Sequence, residues 1–415
     1  MSRCEKMKNS KLIVVLGMHR SGTSAITRGL EVLGVNLGDN LYPAESGNPK
    51  GFWEDNEFLA INEQLLASIG SNSDQLGLMN WKTPRQPNIE PIRLRAENLV
   101  RKKCIKNSVW AFKDPRTARL LDFWQSIFDC VGCNSHYIIA TRNPISIVES
   151  LRKRNGYDSE KVFYLWLEHM ISAILSTKGN KRIVVSYDRL LDDPDFELSR
   201  VARSFDLADP EGPALAIYGQ EFLERALRHT LFSARDLKYQ PNVPSQAIIA
   251  FDWLEHLADD TIQPNISAIE EVFDTLRQEL VALPAYREIS RADHLSSIKA
   301  LTQIIEQRDE TIQVQNKIIE QRDETIQALT QIIEQRDETI QALTQIIKQR
   351  DETIQALNQI IEQRDGTIQA QAKLIDDGVV GMDAMARLIQ TQDADLRELN
   401  RNNLVKVLKS LRLIK

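Results

Sequence analysis

No stretch of the sequence approaches the roughly 18 apolar residues that carry a helix across a bilayer. The apolar run nearest the N-terminus, Leu12 to Leu16, is too short for the core of a secretory signal, and a charged helix is expected soon after it. Cysteine is scarce: four in 415 residues cannot build a disulfide framework. Cys130 and Cys133 form a single CxxC with no second pair at zinc-like spacing, and read as incidental thiols. Excess positive charge is also missing. With 52 Lys and Arg against 58 Asp and Glu, the net charge of -6 gives no sign of a general nucleic-acid-binding surface. These absences together set the expectation of a cytoplasmic chain in a reducing compartment. At 415 residues it has room for two domains or more.

One further absence is local. The segment GMHRSGTS, 17–24, follows the apolar run and precedes a helix-like stretch, Ala25 to Leu33. Strand, glycine-bounded loop and helix make a phosphate cradle: glycine lets the backbone approach an anion, and the amides opening the helix point at it. The spacing of Gly17 and Gly22 is that of a Walker A loop, but Thr23 stands where that motif has its lysine. The cation inside the loop is Arg20. Arg20-Ser21-Gly22-Thr23-Ser24 resembles instead the K-S-G-T-(S/T) loop of the PAPS-dependent sulfotransferases, with arginine for lysine. In that family the loop holds the 5'-phosphosulfate of PAPS (3'-phosphoadenosine-5'-phosphosulfate), without a metal. The resemblance implies PAPS as co-substrate, bound by Arg20, Ser21, Gly22, Thr23 and Ser24.

Three later segments carry the same resemblance in the family's order. Val109 to Phe112 reads as a buried strand and runs into Lys113-Asp114-Pro115-Arg116. Sulfotransferases place K-x-H-x-P here, with a lysine on the transferring sulfonate and a histidine base; Lys113 and Pro115 fit, and the histidine is absent. The base then comes from Glu54 or Asp114. Glu54 lies about thirty residues after the loop, in NPKGFWEDNEF (48–58), where several carbohydrate sulfotransferases keep a glutamate base. A carboxylate opening a helix is an equally ordinary explanation for it. Next, Tyr137 to Ala140 reads as a strand leading into TRNPISIVES, 141–150. The family binds the 3'-phosphate of PAPS with R-(N/D)-P-x5-S, and Arg142 and Ser150 stand at that separation. A dianionic phosphate calls for a fixed guanidinium and a hydroxyl donor. Last, Tyr187-Asp188-Arg189-Leu190 through Pro194 resembles an element that buttresses the family's fold. Arg228, His229 and Arg235 occupy the region of a third PAPS contact, although the usual RKG loop is not recognisable. Trp81 could stack on a sugar or belong to the core, and Phe52 and Trp53 suit a carbohydrate acceptor better than a flat phenol.

From about residue 297 the composition changes. The unit ALTQIIEQRDETIQ recurs to about residue 370, placing isoleucine at every seventh position from Ile305 to Ile375. A heptad stripe sustained so long requires partner helices, since one helix alone would expose it to water. The end, RNNLVKVLKSLRLIK (401–415), carries five cations and no acid on an imperfectly amphipathic pattern. It suits peripheral contact with an anionic membrane, or equally a solvated helix end.

The expected architecture is therefore α/β: a P-loop parallel sheet flanked by helices, then a long α-helical coiled coil. Residues 1–295 form a sulfotransferase-like domain, helical over about 195–295; 296–377 form the coil; 378–415 form a helical basic tail. The expected function is transfer of a sulfuryl group from PAPS to a hydroxyl, preferably a sugar's. The expected catalytic groups are Glu54, Lys113, Arg20 and Asp114, the cofactor residues include Arg142 and Ser150, and no metal or nucleic acid takes part. A P-loop kinase or NTPase explains the first loop but leaves Arg142 and Ser150 idle; an inactive scaffold is favoured only by the missing histidine.

Overall fold

Alternation along four strands decides the layering of the chain. In the computed structural model these strands are β1 (Lys11–Leu16), β2 (Val109–Lys113), β3 (Asn134–Thr141) and β4 (Arg182–Ser186), all parallel in the order β2-β1-β3-β4. Leu12, Val14 and Leu16 point into one buried cluster with Trp110, Phe112, Tyr137 and Ile139. Ile13 and Val15 point into the other with Ala111, Ile138 and Ala140. Strands buried on both faces need helices on both faces, which parallel crossovers supply. The structure describes residues 10–45, 50–78, 89–210, 212–223, 232–259, 266–376 and 382–410. Trp81, Arg228, His229 and the last five residues of the basic tail lie outside these.

Two helices, α1 (Thr23–Val32) and α2 (Asn56–Ser68), precede α3 (Glu90–Lys106) and β2. Then α4 (Thr117–Val131) leads to β3, and α5 (Pro144–Asn155) and α6 (Ser159–Ser176) lead to β4. The chain continues through α7 (Tyr187–Asp192), α8 (Pro194–Phe205), α9 (Gly212–Ile217), α10 (Ala234–Tyr239), α11 (Ser245–Leu257) and α12 (Ile266–Ala282). A π-helical turn, Tyr218–Phe222, follows α9. The first cluster holds α4, α6, α11 and α12 against the sheet, and includes Phe58 stacked on Phe112 at 3.9 Å between ring centres. The second holds α1 and α8, with Ile26, Leu30, Leu198 and Val201 buried. Cys133 meets Cys104 of α3, with 2.7 Å between their sulfurs.

Strand order fixes where a ligand would sit. The crossover from β1 runs to β2 on one side, while β3 lies on the other side and leads on to β4. The carboxyl ends of β1 and β3 therefore flank a topological switch point, the usual crevice of an open α/β sheet. Both phosphate-type segments, 17–24 and 141–150, leave the sheet there.

The chain divides by its internal contacts into Met1–Ile304 and Ile305–Lys415. The helix bearing the repeats, α13 (Pro284–Asp376), starts before the first repeat, and α14 (Met382–Ser410) carries the described part of the tail. Along α13 the heptad isoleucines from Ile305 to Ile368 are all 49–59 % exposed. Among the described residues no helix is long and apolar enough to cross a membrane.

Candidate active site

The loop after β1 is held by its own backbone and by its neighbours. Ser21 Oγ donates to the Met18 carbonyl at 2.6 Å, and the Ser21 amide donates to the same oxygen at 3.2 Å. Gly22 has φ +88° and directly precedes α1; a Cβ there would stand 2.2 Å from the Tyr187 ring. Only glycine meets both demands. Arg20 also has a left-handed backbone, φ +70°, which a non-glycine residue adopts at a cost of about 1–2 kcal/mol. Strain retained in a cradle implies that its surroundings over-determine it. Gly22→Ala is expected to push Tyr187 off the loop, lower the melting temperature by several degrees and abolish anion binding. Thermal denaturation and phosphate titration on the same sample check this.

The two distant motifs meet at this loop. Arg20 Nε donates to Ser150 Oγ at 2.8 Å, and an Arg142 terminal amine donates to the Arg20 carbonyl at 3.2 Å. The Arg142 guanidinium lies over the Tyr187 ring, 4.7 Å from its centre. Tyr187, expected only to buttress the fold, thus underlies both Gly22 and Arg142. Asn143 of the same motif is structural. Its Oδ1 accepts from the Ile145 amide to cap α5, and its Nδ2 donates to the carbonyls of Phe232 and Ser233. Thr23 is buried, and Ser24 Oγ donates to the Phe52 carbonyl at 3.1 Å.

At the end of β2, Lys113 reaches the other side of the loop. Its Nζ donates to Glu54 Oε1 at 2.8 Å and lies 3.3 Å from Ser24 Oγ; lysine and glutamate are 1 % and 6 % exposed. Glu54 does not open the following helix. Asp55 caps α2 by accepting from the Glu57 amide and pairs with Lys103, while the Glu54 carbonyl accepts from the Tyr42 amide at 2.7 Å. Those anchors on either side turn Glu54 inward to Lys113. Withdrawal from water, the largest influence, raises the Glu54 carboxyl above its ordinary value, and Asp114 adds to this against the opposing pull of Lys113.

Asp114, the other expected base, is fully committed. One oxygen accepts from the amide and a terminal amine of Arg116, at 2.9 and 3.0 Å, and the other from Asn62 Nδ2 at 3.0 Å. Asn62 is itself held by Trp124 Nε1 at 2.7 Å. With no exposed surface, Asp114 aligns Arg116 and the start of α4.

The structure adds residues that the sequence did not single out. A cavity of about 150 Å³ beside the loop is lined by His19, Arg116, Arg154 and Tyr157, with Asp74 and Asn155. His19 Nε2 is buried and has no hydrogen-bond partner among the described residues. Burial above all, and then Arg116, His169, Lys113 and Arg154, hold this imidazole well below its ordinary range, so it is neutral at pH 7. Trp53 goes the other way: its ring packs on Phe222 at 5.9 Å, Arg28 lies over it, and its Nε1 donates to the Lys50 carbonyl. Its ring is thus partly buried by packing.

Neither a family model nor a curated relative matches the sequence. Two solved structures are similar in part: the sulfotransferase domains of the Synechococcus PCC 7002 olefin synthase and of the curacin biosynthetic pathway. They align over 66 % and 65 % of this chain and 98 % of each of theirs, at 13 % and 16 % identity, both with a TM-score of 0.33. A likeness of that size carries no functional argument, and the chemistry has to be read from the side chains.

Proposed function

We propose that the chain is a sulfotransferase that moves the sulfuryl group of PAPS to a hydroxyl of a carbohydrate acceptor. The observation that carries this reading is the meeting of Arg20 with Ser150 and Arg142, from segments more than a hundred residues apart, at the switch point of the sheet. Each residue alone has a structural explanation. Two guanidiniums and a hydroxyl brought onto a glycine-bounded cradle suit a nucleotide with phosphate at two positions.

The residues present fit PAPS in kind. The amides opening α1, directly after Gly22, would face a bound 5'-phosphate. When bound, PAPS would supply an activated sulfuryl group whose leaving group is the 5'-phosphate. In-line transfer needs donors that spread negative charge as the bond to the leaving oxygen breaks. Lys113, desolvated beside Ser24, is placed for that. Glu54, with its raised proton affinity, would take the proton of the acceptor hydroxyl as its oxygen bonds to sulfur. The cavity lined by His19, Arg116, Arg154 and Tyr157 together with Met18, Leu151 and Leu165 would offer an acceptor both hydrogen-bonding groups and apolar wall. The exposed isoleucines of α13 would join copies of the chain, and the basic end of α14 could then rest several tails on an anionic membrane.

Arg142→Ala tests the nucleotide assignment. It is expected to weaken binding of PAP (3'-phosphoadenosine-5'-phosphate) by about 1.5–3 kcal/mol, the worth of a charged hydrogen-bond partner. Binding of adenosine 5'-phosphosulfate, which lacks the 3'-phosphate, should change little. Equal losses for both ligands in a calorimetric titration would remove Arg142 from the 3'-phosphate.

A further inference from the structure

Arg20 belongs to the loop by sequence, yet its guanidinium leaves it. The Nε bond to Ser150 Oγ carries it to α5, and its carbonyl receives Arg142. Arg154 stands one helical turn beyond Ser150 on α5. Burial, and then the fields of Arg154 and Arg142, lower the proton affinity of Arg20. Cations drawn together in this way repel one another, and a bound dianion relieves that repulsion.

At the opposite end of the loop the place beside Ser24 is already taken by Lys113. The transferring group would thus have a cation without Arg20. A serine hydroxyl that accepts from Nε keeps its own hydrogen to donate, so guanidinium and hydroxyl can hold one anion jointly.

Resting on the sulfotransferase reading above, we propose that Arg20 joins Arg142 and Ser150 around the 3'-phosphate, and so selects 3'-phosphorylated nucleotides instead of stabilising the transferring sulfuryl group. The loop arginine is then a specificity residue, and the displacement from a Walker-type lysine has a purpose. Its backbone is left-handed, φ +70°, and its side chain reaches Ser150 on α5.

The test is calorimetry of the full chain with PAP and with adenosine 5'-phosphosulfate. Arg20→Asn is the first variant because asparagine tolerates the left-handed backbone; Arg20→Gly is the second, should the first not fold. PAP affinity is expected to fall roughly ten-fold or more, while adenosine 5'-phosphosulfate loses less than about two-fold. In a Ser150→Ala background the PAP loss on changing Arg20 should shrink, because the two groups act on one phosphate. Equal losses for both ligands, or additive effects of Arg20 and Ser150, would overturn the assignment and leave the sulfotransferase reading standing. A wild-type chain that binds no PAP would overturn both.

Discussion

Glu54→Gln is expected to lower sulfuryl transfer by roughly 100-fold or more while PAP affinity stays within about two-fold. Glutamine keeps the size of the side chain and an oxygen to accept from Lys113, so the 2.8 Å contact can survive. What disappears is the ability to take a proton. The pH profile sharpens the test. Burial raises the Glu54 carboxyl above its ordinary value of 4.5, so the carboxylate form that accepts the proton is lost as pH falls through that raised value. Wild-type kcat/KM should therefore decline on the acid side at a pH above the ordinary carboxylate range, and the Gln variant should lack this limb. Asp114→Asn makes a contrast. It breaks the network through Arg116 and Asn62, so its expected signature is a lowered melting temperature, with the acid limb retained. Transfer that survives Glu54→Gln and vanishes in a folded Asp114→Asn protein would give the role of base to Asp114.

Deleting residues 297–377 is expected to reduce the association state of the protein. Along α13 the heptad isoleucines from Ile305 to Ile368 are about half exposed, against a core where such side chains are almost completely covered. Burying one isoleucine fully is worth about 1.5–3 kcal/mol, so even partial burial of this stripe exceeds the entropy of association. A second copy of the same helix presents the same heptad spacing, which makes self-pairing the natural partner. Sedimentation velocity should show an oligomer for the whole chain and a smaller species for the shortened one. The head, Met1–Ile304, has its own buried clusters and should keep its melting transition. A full-length monomer at micromolar concentration would contradict the self-association.

Much of this molecule was legible in its sequence because the signals were local. Three apolar runs became β1, β2 and β3; the glycine-bounded loop, Lys113 and Arg142 lie at strand ends, and Ser150 lies within α5. Their convergence could only be inferred from the family resemblance, since nothing in local pattern says that Arg20 reaches α5. Helix opening, the ordinary explanation for a carboxylate at Glu54, does not hold, because Asp55 takes the cap and Glu54 faces Lys113. That Asn62 and Arg116 hold both oxygens of Asp114 is a tertiary fact that its place beside Lys113 does not show. The packing of Trp53 against Phe222, far along the chain, is likewise a tertiary fact. His19 went unnoticed because a histidine between glycines carries no signal of its own; the cavity and the unpartnered Nε2 are tertiary facts. Tyr187 was undervalued for the same reason: its effect depends on Gly22 having no side chain, a hundred and sixty residues earlier.

The central claim, that this cradle holds a 3',5'-bisphosphorylated nucleotide for sulfuryl transfer, is tested most directly by calorimetry with PAP and with ATP, each with and without magnesium. PAP is expected to bind at micromolar concentration or tighter with no dependence on magnesium, and ATP far more weakly under either condition. Magnesium-dependent ATP binding without measurable PAP binding would contradict it and turn the loop into that of a kinase or NTPase.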